Sequence, residues 1–441
     1  MTPPISYALA NIPRYTSYPT APHFGALGPA EYADWLAQVP EGAPLSLYLH
    51  VPFCKSLCWY CGCHTAVTRS AARIEHYAAA LEAEAHLVAA ALPRHGGIAH
   101  LHLGGGTPTA LGAAALARVL HVVRLAFGLR PGAELAAELD PRSLDEATVA
   151  ALAEAGLTRA SLGVQDISPA VQHRIGRVQT QDCVADAVAR LRAHGIGSIN
   201  VDVMYGLPGQ GVAEVQATTR FAAQLGADRV AVFGYAHVPW MKPHQNAIDS
   251  ASLPGALERM LQADAAEAVL VGAGYVSIGL DHFARPEDGM AVALRAGRLR
   301  RNFQGYTTDD APTLLGLGAS AIGSLPAGYA QNEPDERKYV AAVQAGALPV
   351  KRGRALNADD RLRRGVIERV MCDFALDLGA LPPVVLDEAM PLLAQLDADG
   401  IIALDRDYLR VLPDGRRHVR HVAAAFDAYL GTGSGRHSAA V

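Results

Sequence analysis

Short apolar or β-branched runs alternate with longer stretches of helical spacing through the first half of the chain. The runs at 45–51, 98–103, 134–139, 159–164, 198–204 and 229–233 predict strands. Between them, 73–93, 111–127, 145–155, 182–194 and 212–225 place apolar residues at helical intervals. Strand, loop and helix in repetition are the pattern of βα units on a parallel sheet. The pattern predicts an α/β fold, a partial TIM-like barrel of about six βα units with a parallel sheet, too few repeats to prejudge closure into a complete eight-unit barrel. A helical stretch at 254–273 precedes a strand-like run at 275–280, which would extend the sheet beyond six strands.

Both ends break the rhythm. Residues 1–35 hold four prolines before position 20 and show little periodicity. From 326 to 358 the sequence turns mixed and polar, with Pro326, Pro334 and Pro349. Beyond it, 359–372 and 384–396 read as helices, 401–404 and 408–411 as a strand pair around Asp405 to Asp407, and 415–430 as a last helix. Helix, helix, wing and helix resemble a winged-helix module. The region carries no marked basic excess, so it reads equally as a compact accessory domain. The expected organisation is an N-terminal segment (1–35), an α/β domain (36–350) and a smaller, mostly helical C-terminal domain (351–441), with a frayed tail over 431–441.

Composition narrows the class. The chain has 441 residues, half of them hydrophobic and 18% charged. That charged share lies below the roughly 25% of ordinary soluble domains, which argues against disorder. No run approaches the roughly 18 apolar residues of a membrane helix; the most apolar stretch, 268–280, is broken by Gly272, Gly274 and Gly279. Residues 1–20 lack the apolar core of a signal peptide. A net charge of −5 and a pI near 6.4 leave no nucleic-acid footprint. The expectation is a cytoplasmic protein without nucleic-acid or membrane partners.

The six cysteines carry the chemistry. Cys54, Cys58, Cys61 and Cys63 crowd into the loop after the first predicted strand, whereas Cys183 and Cys372 lie alone in helical patterns and read as small core residues. Crowding of this kind indicates metal ligands rather than a disulfide framework. Structural zinc prefers paired knuckles far apart in sequence. Three cysteines in one C-x3-C-x2-C loop suit three irons of a cubane and leave the fourth open, although a structural zinc protein on an α/β scaffold is the bland alternative.

This spacing, with aromatic Tyr60 before the last ligand, resembles the radical S-adenosylmethionine superfamily. Seven further stretches narrow the resemblance: Pro13 to Thr20, Cys61-Gly62-Cys63, Gly104 to Thr109, Gly163 to Asp166, Asp202 to Pro208, Asp281 to Arg285 and Asn302 to Thr308. Together they resemble the oxygen-independent coproporphyrinogen III oxidases, over about residues 11–430. The alternative is a radical S-adenosylmethionine haem chaperone or haem-degrading paralogue, relatives that usually lack the Pro13–Thr20 segment and Cys63.

The resemblance implies an iron–sulfur oxidoreductase of haem (porphyrin) biosynthesis. Such an enzyme converts two propionates of coproporphyrinogen III to vinyl groups through 5′-deoxyadenosyl radicals, giving protoporphyrinogen IX. It implies one [4Fe–4S] cluster on Cys54, Cys58 and Cys61, two S-adenosylmethionine molecules, an unidentified electron donor and acceptor, and a monomer whose N-terminal segment covers substrate. Tyr48, Gly105, Glu138 and Ile322 map onto contacts of the first S-adenosylmethionine. Gly106, Thr107, Gln165, Arg177, Asp202 and Ala236 map onto the second, and Tyr60 is expected to stack on a cofactor. Cys63 maps onto a functional, non-ligating position, and with Tyr48 and Glu138 forms the implied catalytic set. Read from the residues alone, Tyr48 is a core tyrosine and Glu138 a solvated strand end, while Gly104 to Gly106 form either an ordinary strand-to-helix turn or one whose bare N–H groups cradle a carboxylate. Arg14, Arg285 and Arg301 are candidates to pair with substrate carboxylates.

Overall fold

Residues 4–431 are described by the computed structural model, and the strand–helix alternation expected from the sequence runs through it. Apart from Gly431, the tail expected to fray lies outside the described residues. The chain forms two compact units. The first comprises residues 24–202 and 309–356; the second takes residues up to 23, 203–308 and those from 357 onward.

In the first unit β1 (Leu45–Val51), β2 (Ile98–Gly105), β3 (Leu129–Leu139) and β4 (Arg159–Gln165) pair in parallel in that order, and β5 (Ser198–Tyr205), which belongs to this unit up to Asp202, lies beside β4. All five were legible as strands. A further parallel strand, Thr313–Leu317, flanks β1 on its other side. Antiparallel strands Ile322–Ser324, Gly328–Asn332, Val350–Ala355 and Gly25–Ala26 extend that edge. Regular structure therefore continues through the stretch where the rhythm was expected to stop. These strands are short, and Gly316, Gly323, Gly328 and Gly353 interrupt their apolar patterns.

The residues explain the sheet. β1 reads Leu-Ser-Leu-Tyr-Leu-His-Val and is buried nearly throughout, as a strand covered on both faces must be. β4 alternates: Ala160, Leu162 and Val164 are buried, while Ser161, Gly163 and Gln165 turn to the other, more open face. Ser70, Asp145 and Thr180 cap the helices Ala71–Ala91, Glu146–Glu154 and Gln181–Ala193, each side chain accepting a backbone N–H of the first turn. Because the strands run parallel, the loops after β1 to β4 leave from one edge.

In the second unit β6 (Arg229–Gly234) pairs antiparallel with His282–Ala284, which pairs with Val276–Ile278. The strand expected at 275–280 thus does extend the sheet, as one arm of an antiparallel hairpin. The C-terminal helices Ala358–Asp373 and Pro383–Ala398 accompany a sheet of three strands, because Ala375–Asp377 joins the expected pair. The expected last helix is a 3-10 turn, Pro413–His418, followed by Val419–Ala424. Tyr15 and Tyr18 of the N-terminal segment share a buried apolar cluster with Val370, Leu393 and Val422. The Tyr15 hydroxyl donates to Asp427 at 3.0 Å, and the Tyr18 hydroxyl accepts from the Ala428 N–H at 3.0 Å. No helix among the described residues is long and apolar enough to cross a membrane.

Candidate active site

Strand register assembles the polar face. Tyr48 sits opposite His102, and Glu138 opposite Ser161. The Tyr48 and His102 rings stack with centroids 5.9 Å apart. His102 Nε2 lies 3.2 Å from Glu138 Oε1, and the Gly105 N–H donates to Oε2 at 3.2 Å. His50 Nε2 lies 2.9 Å from the His64 carbonyl, which can only accept, so the ring proton is assigned to Nε2. His50 Nδ1 then accepts from the Tyr48 hydroxyl at 3.0 Å. Burial lowers the His50 pKa to about 4, so the ring is a neutral link. Burial, and then the Glu138 charge, push the Tyr48 phenol well up. Burial also acts to raise Glu138, but the bonds from His102 and Gly105 prevail and hold it below the usual carboxylate range. With 42% of its side chain exposed, Glu138 presents an ionised carboxylate to open space.

Farther along the face, Asp202 accepts from Ser161 at 3.0 Å and from Asn200 at 2.8 Å. Gln165 ends β4 with φ +68°, a left-handed conformation that turns the chain sharply away from the strand. The Gly105, Gly106 and Thr107 N–H groups have acceptors within the chain: Glu138, the Val51 carbonyl and the Phe53 carbonyl. They are therefore not a bare N–H cradle. Glycine is required here by packing: a Cβ on Gly106 would lie 2.4 Å from Thr65 Oγ1 and 2.5 Å from the Phe53 carbonyl.

Phe53–Cys54 pairs with Ala66–Val67, which closes the cysteine loop on itself. None of the six cysteines is in a disulfide. Cys54 Sγ accepts from Thr65 Oγ1 at 3.2 Å and lies 3.7 Å from Thr107 Oγ1. Cys58 is buried, with Arg142 Nη2 and Arg177 Nη1 each 3.5 Å from its sulfur. Both guanidiniums are held by Asp140, at 2.6 and 3.3 Å. Cys61 Sγ accepts the Cys63 N–H at 3.4 Å. Cys63 is exposed, and its hydrogen bond with Cys61 leads the causes that push its thiol pKa well up. Arg177 also donates to the Gly163 carbonyl at 2.5 Å, and its buried Nε has no partner. Trp59 lies against Gly176, where a Cβ would come within 3.1 Å of the indole. Tyr60 sits between the second and third cysteines, and burial pushes its phenol well up.

The remaining sequence-predicted residues scatter. Ile322 packs its backbone 2.8 Å from where a Gly316 Cβ would stand. In the second unit, Ala236 follows β6, accepts from Gln245 at 3.2 Å and lines a cleft. Arg285 stacks on Tyr275 at 4.4 Å and lies outside the cleft. Arg14 and Arg301 do line a cleft, together with Arg259 and Arg420, which the sequence reading missed. Arg259 sits in an ordinary amphipathic helix; the basic run Arg416, Arg417, Arg420 was the available signal. His102, Asp140 and Arg142 were missed too, and the alternation His100-Leu101-His102 within a strand could have marked the first. Cys372 is buried as expected, while Cys183 is half-buried at a helix start.

Residues 48–222 match the family model of the radical SAM superfamily. The oxygen-independent coproporphyrinogen III oxidase of Bradyrhizobium diazoefficiens is 49% identical over 99% of both chains. That of Paracoccus denitrificans is 45% identical over 98% of this chain and 97% of its own. Among solved structures, coproporphyrinogen III oxidase from Escherichia coli, described as a radical SAM enzyme, superposes with a TM-score of 0.90 at 38% identity, covering 95% of this chain and 100% of that one. The superfamily implies a [4Fe–4S] cluster and S-adenosylmethionine. The loop fits such a group, because each of its three candidate ligand sulfurs faces a hydrogen-bond donor that would stabilise thiolate charge. On the likeness of nearly the whole chain, and on the cysteine loop set where parallel strands end, the chain belongs to the oxygen-independent coproporphyrinogen III oxidase family of the radical SAM superfamily.

Proposed function

We propose that this chain oxidatively decarboxylates two propionates of coproporphyrinogen III to vinyl groups without dioxygen, giving protoporphyrinogen IX. Each propionate loses a hydrogen atom from the carbon next to the ring, then carbon dioxide and one electron, which an external acceptor takes. The observation that carries this reading is full-length identity of 49% with an enzyme of that name. When bound, the [4Fe–4S] cluster and S-adenosylmethionine supply the hydrogen abstraction, and two S-adenosylmethionine molecules match two decarboxylations.

The chain's own residues hold and orient. Cys54, Cys58 and Cys61 are the cluster ligands, and Cys63 stays a thiol beside them. Tyr48, Gly105, Glu138 and Ile322 serve the first S-adenosylmethionine. There the Glu138 carboxylate suits a sulfonium or a ribose hydroxyl, and the Tyr48–His50–His64 chain fixes the phenol. Gly106, Thr107, Gln165, Arg177, Asp202 and Ala236 serve the second, with Tyr60 stacking nearby. The N-terminal segment 1–35 covers the substrate, 36–350 carries the chemistry and 351–441 supports it. The protein acts in the cytoplasm as a monomer, without nucleic-acid or membrane partners and with a separate electron donor. Anaerobic, cluster-reconstituted protein is expected to form vinyl porphyrinogen and two methionines per product. No turnover, with haem bound tightly instead, would favour the chaperone alternative.

A further inference from the structure

The cleft of the second unit is lined by six arginines and three acids. Arg417 is paired with Asp264 at 2.5 Å, Arg416 lies over Phe374 at 4.4 Å, and Asp281 is bonded to His282 at 2.7 Å. Arg14, Arg259, Arg301 and Arg420 form no ion pair or hydrogen bond with a carboxylate among the described residues, and Asp281 is the one cleft acid whose charge acts on Arg14, Arg301 and Arg420. Arg301 donates to the Tyr15 and Arg14 carbonyls, and Arg259 to the Tyr235 carbonyl. After those bonds, Arg259 Nε, Arg301 Nη1 and Arg420 Nε remain buried without an acceptor. Arg420 is 6% exposed, and its side chain makes no hydrogen bond or ion pair. Burial, then the charge of Arg14, lowers its pKa to about 10.

Buried polar groups are nearly always satisfied, and a buried unpaired charge is costly. Four guanidiniums gathered with three orphaned buried N–H groups therefore describe a site built for anions, and the planar fork of arginine matches carboxylates bidentately. Phe233, Leu280 and Phe283 give the cleft an apolar wall. Apolar walls with converging cations suit an amphipathic polycarboxylate better than an inorganic ion.

We propose that this cleft is a carboxylate site that grips the propionates the substrate keeps through the reaction, an assignment that rests on the coproporphyrinogen reading above. An ion pair to a carboxylate departing as carbon dioxide would stabilise the ground state and be lost on the way to the transition state, which slows chemistry. Pairing with the retained propionates orients the ring without that penalty.

The test uses full-length, cluster-loaded protein under anaerobic conditions and the variants Arg420→Met and Arg259→Met. Equilibrium dialysis measures binding of coproporphyrin III, its tetramethyl ester, protoporphyrin IX and S-adenosylmethionine, with thermal unfolding alongside. Both variants are expected to bind coproporphyrin III and protoporphyrin IX about tenfold to a hundredfold more weakly, the span of hydrogen bonds to charged groups. Ester binding should not change. The Tm of Arg420→Met should stay level or rise because a buried charge without an ion pair has gone, whereas Arg259→Met gives up its bond to the Tyr235 carbonyl and should lose a little Tm without loss of the ester. Unchanged porphyrin affinity would overturn the proposal, as would a fall in Tm with equal loss of the ester. Loss confined to coproporphyrin III would place the departing propionates here, and loss confined to S-adenosylmethionine would make its carboxylate the occupant; either overturns the assignment. Should Arg420→Met fail to fold, Arg259→Met decides. Wild-type protein that binds coproporphyrin III but makes no vinyl product would overturn the function and leave the carboxylate site standing.

Discussion

The guanidinium of Arg142 lies 3.5 Å from the sulfur of Cys58, and Asp140 fixes its orientation through a 2.6 Å ion pair. A donor and a positive charge beside a cluster ligand favour the more negative, reduced state of an iron–sulfur centre. Arg142→Met should therefore leave iron content unchanged and move the cluster midpoint potential to more negative values. Arg142→Lys should fall between, because it keeps the charge but not the planar fork. Redox titration followed by electron paramagnetic resonance measures this, and an unmoved potential would sink the assignment.

The four neighbouring cysteines should separate in one metal analysis. Cys54→Ser, Cys58→Ser and Cys61→Ser each remove a candidate ligand that faces hydrogen-bond donors, and should abolish both the brown colour and turnover. Cys63→Ser should keep the cluster spectrum and its iron. Iron lost from the Cys63 variant would make that residue a ligand.

How far the sequence carries is clearest at β1 and its loop. The run 45–51 is apolar throughout because both faces are covered, so its ends could be read to the residue. The cysteine spacing is local, and it survives translation into three dimensions. His102 and Glu138 could not be paired beforehand, because their meeting depends on β2 and β3 lying side by side in register. The same holds for Arg259 and Arg420, which are 161 residues apart and meet only through tertiary folding. Thr313–Leu317 was missed because five residues, one of them glycine, carry too little pattern to separate a strand from a loop. The tyrosines at 15 and 18 read as parts of a proline-rich segment, and nothing local shows that their partners lie beyond residue 360.

Gly106→Ala tests whether that glycine is required by packing. A Cβ would meet Thr65 Oγ1 and the Phe53 carbonyl, and Thr65 is itself a donor to Cys54. Backbone cannot yield cheaply, so the substitution should destabilise by about 1–3 kcal/mol, the usual cost of overpacking. It should also reduce iron incorporation by shifting the cysteine loop. Thermal unfolding with iron analysis checks it, and full stability with normal iron would exclude the clash.

Glu84 predicts a distinct pH dependence. Its carboxylate is fully buried on the helix Ala71–Ala91, where it accepts from the Gly318 N–H at 2.7 Å, Asn332 at 2.6 Å and Tyr339 at 2.6 Å. Burial raises its pKa from 4.5 to about 7 against those three bonds. The folded chain thus binds this proton more tightly than the unfolded chain. Its contribution is complete below pH 4.5 and is lost as pH rises to about 7, some ~3 kcal/mol in all. His418 and His421, lowered by burial to about 4, act oppositely: the stability they contribute is present above their unfolded pKa and lost as pH falls. The informative quantity is therefore the difference between wild type and Glu84→Gln, in which the histidine contributions cancel. Denaturant unfolding from pH 4.5 to 7.5 should show the wild type losing stability relative to the variant as pH rises, and parallel curves would mean that Glu84 titrates alike in both states.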